Sequence, residues 1–156
     1  MVNCLVADNE IDNNSFNVAG ARAVYWAESK AETVNCTIAG NVCLSDADDS
    51  VAGLYLNQAA APQNMIVCGN AGGRQIRCDG SSTCAYSVTN GVAGFRAPEK
   101  GDYSISSSSP AVNAGNPQTV VADGETDLAG RPRLRFRRID AGCYESQIGG
   151  TVIIVR

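Results

Sequence analysis

Asn3-Cys-Leu-Val-Ala-Asp-Asn9 returns in altered form as Asn35-Cys-Thr-Ile-Ala-Gly-Asn41 and again as Asn64-Met-Ile-Val-Cys-Gly-Asn70, at offsets of 32 and 29 residues. Each copy is a short β-prone run held between two asparagines. Side chains of a strand point to opposite faces in turn, so Cys4, Cys36 and Met65 share one face with Val6, Ile38 and Val67. A weaker echo lies between the copies. Ala23-Val-Tyr-Trp26 matches Gly53-Leu-Tyr-Leu56, which gives each repeat more than one strand and aligns Tyr25 with Tyr55.

A unit of about 30 residues with two or three short strands cannot bury its inner face alone, but a stack of such units can. At the ~4.8 Å spacing of neighbouring strands, equivalent side chains of successive units lie over one another in a common interior. The expected fold is therefore all-β, a right-handed parallel β-helix, with coils over 1–90, a closing coil and cap over 91–146 and a β-prone tail over 147–156. Asparagine suits the corners, because it tolerates left-handed backbone and its amide can bond the asparagine one coil away. The one plausible helix, around Ala27 to Glu32, reads equally well as a corner loop.

Composition agrees. Hydrophobic residues make up 44% of the 156 residues and charged ones only 18%, with 16 glycines, as suits a turn-rich β protein. The net charge of -4 argues against a generic nucleic-acid binder. With no histidine, a Ser-His-Asp triad, an H-E-x-x-H centre and a Cys-His zinc site are excluded. No run approaches the roughly 20 apolar residues of a membrane span; Thr151 to Val155 is far too short. Met1 is followed by Val-Asn-Cys without a basic leader and reads as a start inside a strand, with further coils upstream.

Seven cysteines without C-x-x-C spacing read as extracellular disulfides, the odd count leaving at least one unpaired. Cys78 and Cys84, across a five-residue loop, are the favoured pair. Cys4 and Cys36, stacked in neighbouring coils, are expected as buried thiols, and Cys143 as packed or disulfide-bonded.

From Gly94 onward the chain resembles a known family. The residues are Gly94-Phe-Arg-Ala-Pro-Glu-Lys-Gly-Asp-Tyr-Ser-Ile105, Ser109-Pro-Ala-Val-Asn-Ala-Gly115, Asp127-Leu-Ala-Gly-Arg-Pro-Arg133 and Asp140-Ala-Gly-Cys-Tyr-Glu145. Their order and spacing are similar to the closing segment of choice-of-anchor Q domain proteins, with Ile105 for a leucine and Cys143 for an alanine. The resemblance covers about residues 90–146. It implies a bacterial, secreted or cell-surface parallel β-helix and says little about activity.

Several residues invite chemistry. If Arg131 to Arg138 is extended, Arg131, Arg133, Arg135 and Arg137 share one face at a repeat of ~7 Å. Such a row suits the carboxylates or sulfates of an acidic polysaccharide, and equally suits pairing with Asp127, Asp140 and Glu145. Tyr25, Trp26 and Tyr55 read as a sugar-stacking platform or as a core or surface ladder. Asp123, Glu125 and Asp127 could gather Ca²⁺ or form a solvated loop paired to the arginines. Asp46, Asp48 and Asp49 form a weaker acidic cluster without EF-hand spacing. No local motif selects a catalytic pair of carboxylates.

These readings point to a non-catalytic cell-surface or secreted scaffold, adhesin-like and binding polysaccharide or a surface partner, with no resident cofactor. The alternative is the C-terminal part of a polysaccharide lyase or glycoside hydrolase whose catalytic coils lie upstream. The apolar tail Thr151-Val-Ile-Ile-Val-Arg156 offers a route to self-association.

Overall fold

The computed structural model describes residues 1–12, 22–27, 32–45, 48–135 and 138–146. The tail over 147–156, Arg137, Asp46 and most of the 27–32 segment lie outside the described residues.

The chain is all-β: the described residues hold strands and one 3-10 turn, with no α-helix. Strands β1 (Leu5–Ala7), β4 (Thr37–Ala39) and β7 (Ile66–Cys68) form one parallel sheet, and β2 (Glu10–Ile11) with β5 (Val42–Cys43) a second. Strands β3 (Arg22–Trp26), β6 (Val51–Leu56) and β8 (Arg74–Cys78) form a third, also parallel. The chain visits the three sheets in the same order in its first two circuits. The third circuit meets the second sheet through a Val42–Ala71 bridge, and a fourth begins with bridges from Gln63 to Ala85 and Ile66 to Val88.

The repeat alignment is the observed register. Val6 pairs with Ile38 and Ile38 with Val67, while Tyr25 pairs with Tyr55. The inward residues Cys36, Ile38, Leu54, Leu56, Ala60, Met65 and Val67 form one fully buried cluster, with Cys4, Val6, Val24, Trp26 and Ile76 packed against it. Each large aliphatic side chain so buried contributes about 1.5–3 kcal/mol, which short strands with few ladder bonds need.

Two columns of left-handed residues turn the corners beside β1, β4 and β7. Asn3, Asn35 and Asn64 have φ of 52°, 55° and 56° before the strands, and Asp8, Gly40 and Gly69 have 57°, 67° and 73° after them. The second asparagine of each repeat forms a ladder. Asn9 Nδ2 donates to Asn41 Oδ1 (2.8 Å), Asn41 Nδ2 to Asn70 Oδ1 (2.9 Å), and Asn70 Nδ2 to Gln75 Oε1 (3.0 Å).

Circuit length varies at one corner. Residues 12–21 join β2 to β3, 44–50 join β5 to β6, and only Gly72 and Gly73 separate Ala71 from β8. A side chain at Gly72 would collide with the Cys43 carbonyl and one at Gly73 with Ser50, so the shortest corner is open only to glycine.

The C-terminal segment opens with β9 (Phe95–Ala97) and β10 (Asp102–Ile105), an antiparallel pair joined by the 3-10 turn Pro98–Lys100. It does not sit as a lid over an open end of the stack, as the sequence suggests, but lies along the outer face of the β1–β4–β7 sheet. Ile66 and Cys68 pack there with Ala93, Ile105, Ala111 and Ala141. Its polar anchors reach all three circuits: Asn3 Nδ2 to Thr126 O (3.0 Å) and Tyr103 Oη to Asp8 in the first, Cys143 N to Thr37 Oγ1 (3.1 Å) in the second, and Gly142 N to Asn64 O (2.8 Å) in the third. The reason lies in β4 and β7, which are buried on both faces and therefore require a second layer.

Candidate functional site

The outer face of the third sheet carries a column of side chains in register: Tyr25 on β3, Tyr55 on β6 and Arg77 on β8. The two rings are tilted at 51° with centroids 5.1 Å apart. The guanidinium carbons of Arg22 and Arg77 lie 4.7 Å and 4.9 Å from the Tyr55 centroid, so the ring is held between two cations. Such contacts contribute about 0.5–1 kcal/mol each at exposed sites.

Carboxylates lock the column. Arg77 grips Asp79 through Nε (3.0 Å) and Nη2 (2.9 Å), its Nη1 bonds Asp49, and Tyr55 Oη donates to Asp79 Oδ2 at 2.6 Å. Arg22 reaches the same Asp49 at 3.9 Å. Arg77 first, and then Tyr55, hold the Asp79 carboxyl below its ordinary range, and the hydrogen bond to Asp79 raises the Tyr55 hydroxyl. Tyr55 is only 7% exposed, whereas Tyr25 at the end of the column is 51% exposed and offers its ring to solvent.

Trp26 does not join this surface. It neighbours Tyr25 on the strand, therefore points to the other face, and packs against the inner core. Of the two readings of these three residues, a ladder describes Tyr25 and Tyr55 on the surface and the core describes Trp26, with arginine extending the column.

The arginine row is not a row. The 131–135 segment is held by a single antiparallel bridge between Thr126 and Pro132, and Arg133 is fully buried while Arg131 is half-buried and Arg135 exposed. Arg133 Nη2 donates to Gly142 O (2.6 Å) and Nη1 faces Glu145 Oε1 (3.2 Å). Burial chiefly, with Asp140 and Asp127 nearby, pushes the Glu145 carboxyl up to about 8 against the pull of Arg133. Asp127 takes the backbone N–H groups of Ala129, Arg131 and Glu145, and Asp140 those of Asn113 and Ser146. These four residues staple the C-terminal segment together. Of the two readings of the row, internal pairing describes Arg133.

The acidic trio does not converge either. Asp127 is buried with both oxygens engaged, Glu125 Oε2 accepts the Ala122 N–H (3.1 Å), and Asp123 is exposed. Asp49 serves Arg77, while Asp48 is exposed. Among the described residues no group of three Cys, Asp or Glu side chains is arranged to hold a metal ion.

All seven cysteines are free. Cys78 and Cys84, expected as a pair, are separate thiols: Cys78 is exposed at the end of β8, while Cys84 turns toward the inner core and Ser87. Cys36, stacked beside Cys4, is a buried thiol pushed up to about 11 by burial, as is Cys143.

Sequence reasoning missed Arg22, Arg77 and Asp79. A signal was present, because Arg77 and Asp79 are two apart and so share a face at the end of β8. Compared with known proteins, the chain matches no family model, no curated protein and no solved structure.

Proposed function

We propose that the chain is a stretch of right-handed parallel β-helix acting as a non-catalytic bacterial scaffold, secreted or on the cell surface, that binds polysaccharide along the outer face of its third sheet. The order in which the chain revisits its three parallel sheets supports the solenoid reading. The resemblance of residues 94–145 to choice-of-anchor Q domain proteins supports the location. The cysteines carry no weight for it, since they are free thiols.

The observation that carries the binding reading is the exposed Tyr25 ring above a fixed base of Tyr55, Arg22 and Arg77. A rigid aromatic face loses little entropy on stacking a sugar ring, and the alternation of ring and guanidinium along the column follows the direction of an extended polymer. The carboxylates on this face favour binding over turnover. Asp79 is committed to Arg77 and Tyr55 and held ionised, which unfits it as a general acid. The proposed role invokes no cofactor.

Titration of the chain with neutral and acidic polysaccharides, followed by calorimetry and by assay of reducing ends and unsaturated products, tests this. Binding without product, weakened roughly tenfold in Tyr25→Ala, is expected. Product formation overturns the non-catalytic role, and equal binding by Tyr25→Ala overturns the site.

A further inference from the structure

The motif segments of the C-terminal region meet at a cleft of about 250 Å³ lined by Arg96, Asp102, Ser104, Ala129, Arg131 and Tyr144. It lies in the C-terminal layer, in a part of the chain separate from the tyrosine column. On β9 and β10 the alternation sends Phe95, Tyr103 and Ile105 toward the buried side, where the Phe95 and Tyr103 rings meet edge to face at 5.2 Å. Arg96, Asp102 and Ser104 are thereby left on the other side of the hairpin.

Opposite them, a closed turn presents Arg131. Asp127 Oδ1 accepts the N–H groups of Ala129 (2.9 Å) and Arg131 (2.8 Å), Asp127 N donates to Arg131 O (2.8 Å), and Gly130 N donates to Asp127 O (3.0 Å). These bonds fix the backbone at Arg131 and leave its side chain out of the scaffold. Tyr144 follows the buried Cys143 and completes the wall.

Charge in this cleft is unbalanced. Two guanidinium groups face one carboxylate: Asp102 Oδ1 accepts the N–H (3.0 Å) and hydroxyl (2.5 Å) of Ser104, and its charge is felt by Arg96 and Arg131 at longer range. Among the described residues no ion pair joins either arginine to a carboxylate; Arg96 makes one long bond, Nε to Ile105 O at 3.4 Å, and the Arg131 guanidinium makes none. By contrast Arg77 and Arg133 are tied to carboxylates and Arg138 to the carbonyls of Ala114 and Gly115. Two guanidinium forks and a phenol around this open recess form a donor set for an oxyanion.

We propose that this cleft binds the carboxylate or sulfate group of an acidic ligand, with Arg96 and Arg131 as the two clamps and Tyr144 as a further donor. The volume lies below that of drug-sized ligand pockets, which run from roughly 300 to 1,000 Å³, and so suits one acidic group or one sugar ring. The site is independent of the Tyr25 face.

The test is heteronuclear NMR titration of the whole chain with inorganic sulfate, an oligogalacturonate and a sulfated oligosaccharide, beside a neutral oligosaccharide as control. Shifts centred on Arg96, Arg131 and Tyr144 with the anionic probes are expected. Arg96→Gln and Arg131→Gln should each weaken binding roughly tenfold or more, the size of one charge-assisted contact, with Arg131→Lys intermediate. Because the shifts are read residue by residue, those that inorganic sulfate produces at Arg96, Arg131 and Tyr144 separate this site from the polysaccharide face. Response to only one of the anions supports the cleft and names its chemistry. No response to any of them, or equal affinity in both glutamine variants with their dispersed spectra retained, overturns it; if Arg96→Gln loses dispersion, the lysine variant at Arg131 carries the test.

Discussion

Asn70 Oδ1 accepts both the backbone N–H of Asn41 (3.0 Å) and its side-chain Nδ2 (2.9 Å), so one amide oxygen closes two buried donors of the preceding circuit. Asn41 treats Asn9 in the same way, and its remaining Nδ2 hydrogen bonds Val6 O at 3.1 Å.

Asn41→Ala should therefore be costly out of proportion to its size. It takes the Asn41 Nδ2 donor from the half-buried Val6 carbonyl and from the buried Asn70 Oδ1, while the exposed Asn9 turns to water. A loss of about 2–4 kcal/mol is expected in urea denaturation, given about 1–3 kcal/mol for each unsatisfied group. A loss below 1 kcal/mol would show that water replaces the ladder.

Gly142→Ala tests the attachment of the C-terminal layer. Gly142 has φ of 89°, and a Cβ there would lie 2.6 Å from Ile66 Cδ1 and 2.7 Å from Thr37 Oγ1. Overpacking and left-handed strain together should cost about 2–4 kcal/mol. Limited proteolysis should then release fragments from 90–146 sooner than from the stacked circuits.

Glu145 makes stability depend on pH. Its folded pKa of about 8 lies above its ordinary 4.5, so the fold favours the protonated carboxyl. Its contribution is complete below pH 4.5 and is lost as pH rises toward 8. Denaturation midpoints across that range should fall more steeply for the native chain than for Glu145→Gln. Parallel curves for the two would show Glu145 ionised throughout.

Asp79 titrates in the opposite sense, depressed by Arg77 more than by Tyr55. Carboxyl carbon NMR should find its pKa returning toward the ordinary value in Arg77→Gln, and to a smaller extent in Tyr55→Phe. The reverse order would reassign the main partner.

Thiol labelling under native conditions should modify Cys78 first, since it is the exposed one, and Cys36, Cys68 and Cys143 only on unfolding. Quantified by mass spectrometry, the pattern also settles the Cys78–Cys84 pairing that the sequence suggests. A chain that resists alkylation at both positions until reduced would contain that bond.

The register of the parallel strands was legible because the inner positions recur at period two within asparagine-bounded runs, and the Asn columns mark the corners. The third copy of the Tyr25–Tyr55 strand was hidden. Arg74-Gln-Ile-Arg-Cys78 pairs with it but shares no aromatic residue, and the corner before it has shrunk to Gly72 and Gly73. The second layer had a trace in Ile66-Val-Cys68, apolar on both faces. Alternation misled at Arg133, whose burial depends on Glu145 and the Gly142 carbonyl, partners supplied by tertiary contact that no local pattern reveals.

The shrinking corner separates two quantities that most sheets tie together, chain length and alignment. From 12–21 to 44–50 to 72–73 the connection contracts, yet Tyr25, Tyr55 and Arg77 stay one above another. Along that edge, connections of different length leave the pairing of the three strands unchanged. Whatever is inserted there would emerge beside the tyrosine column.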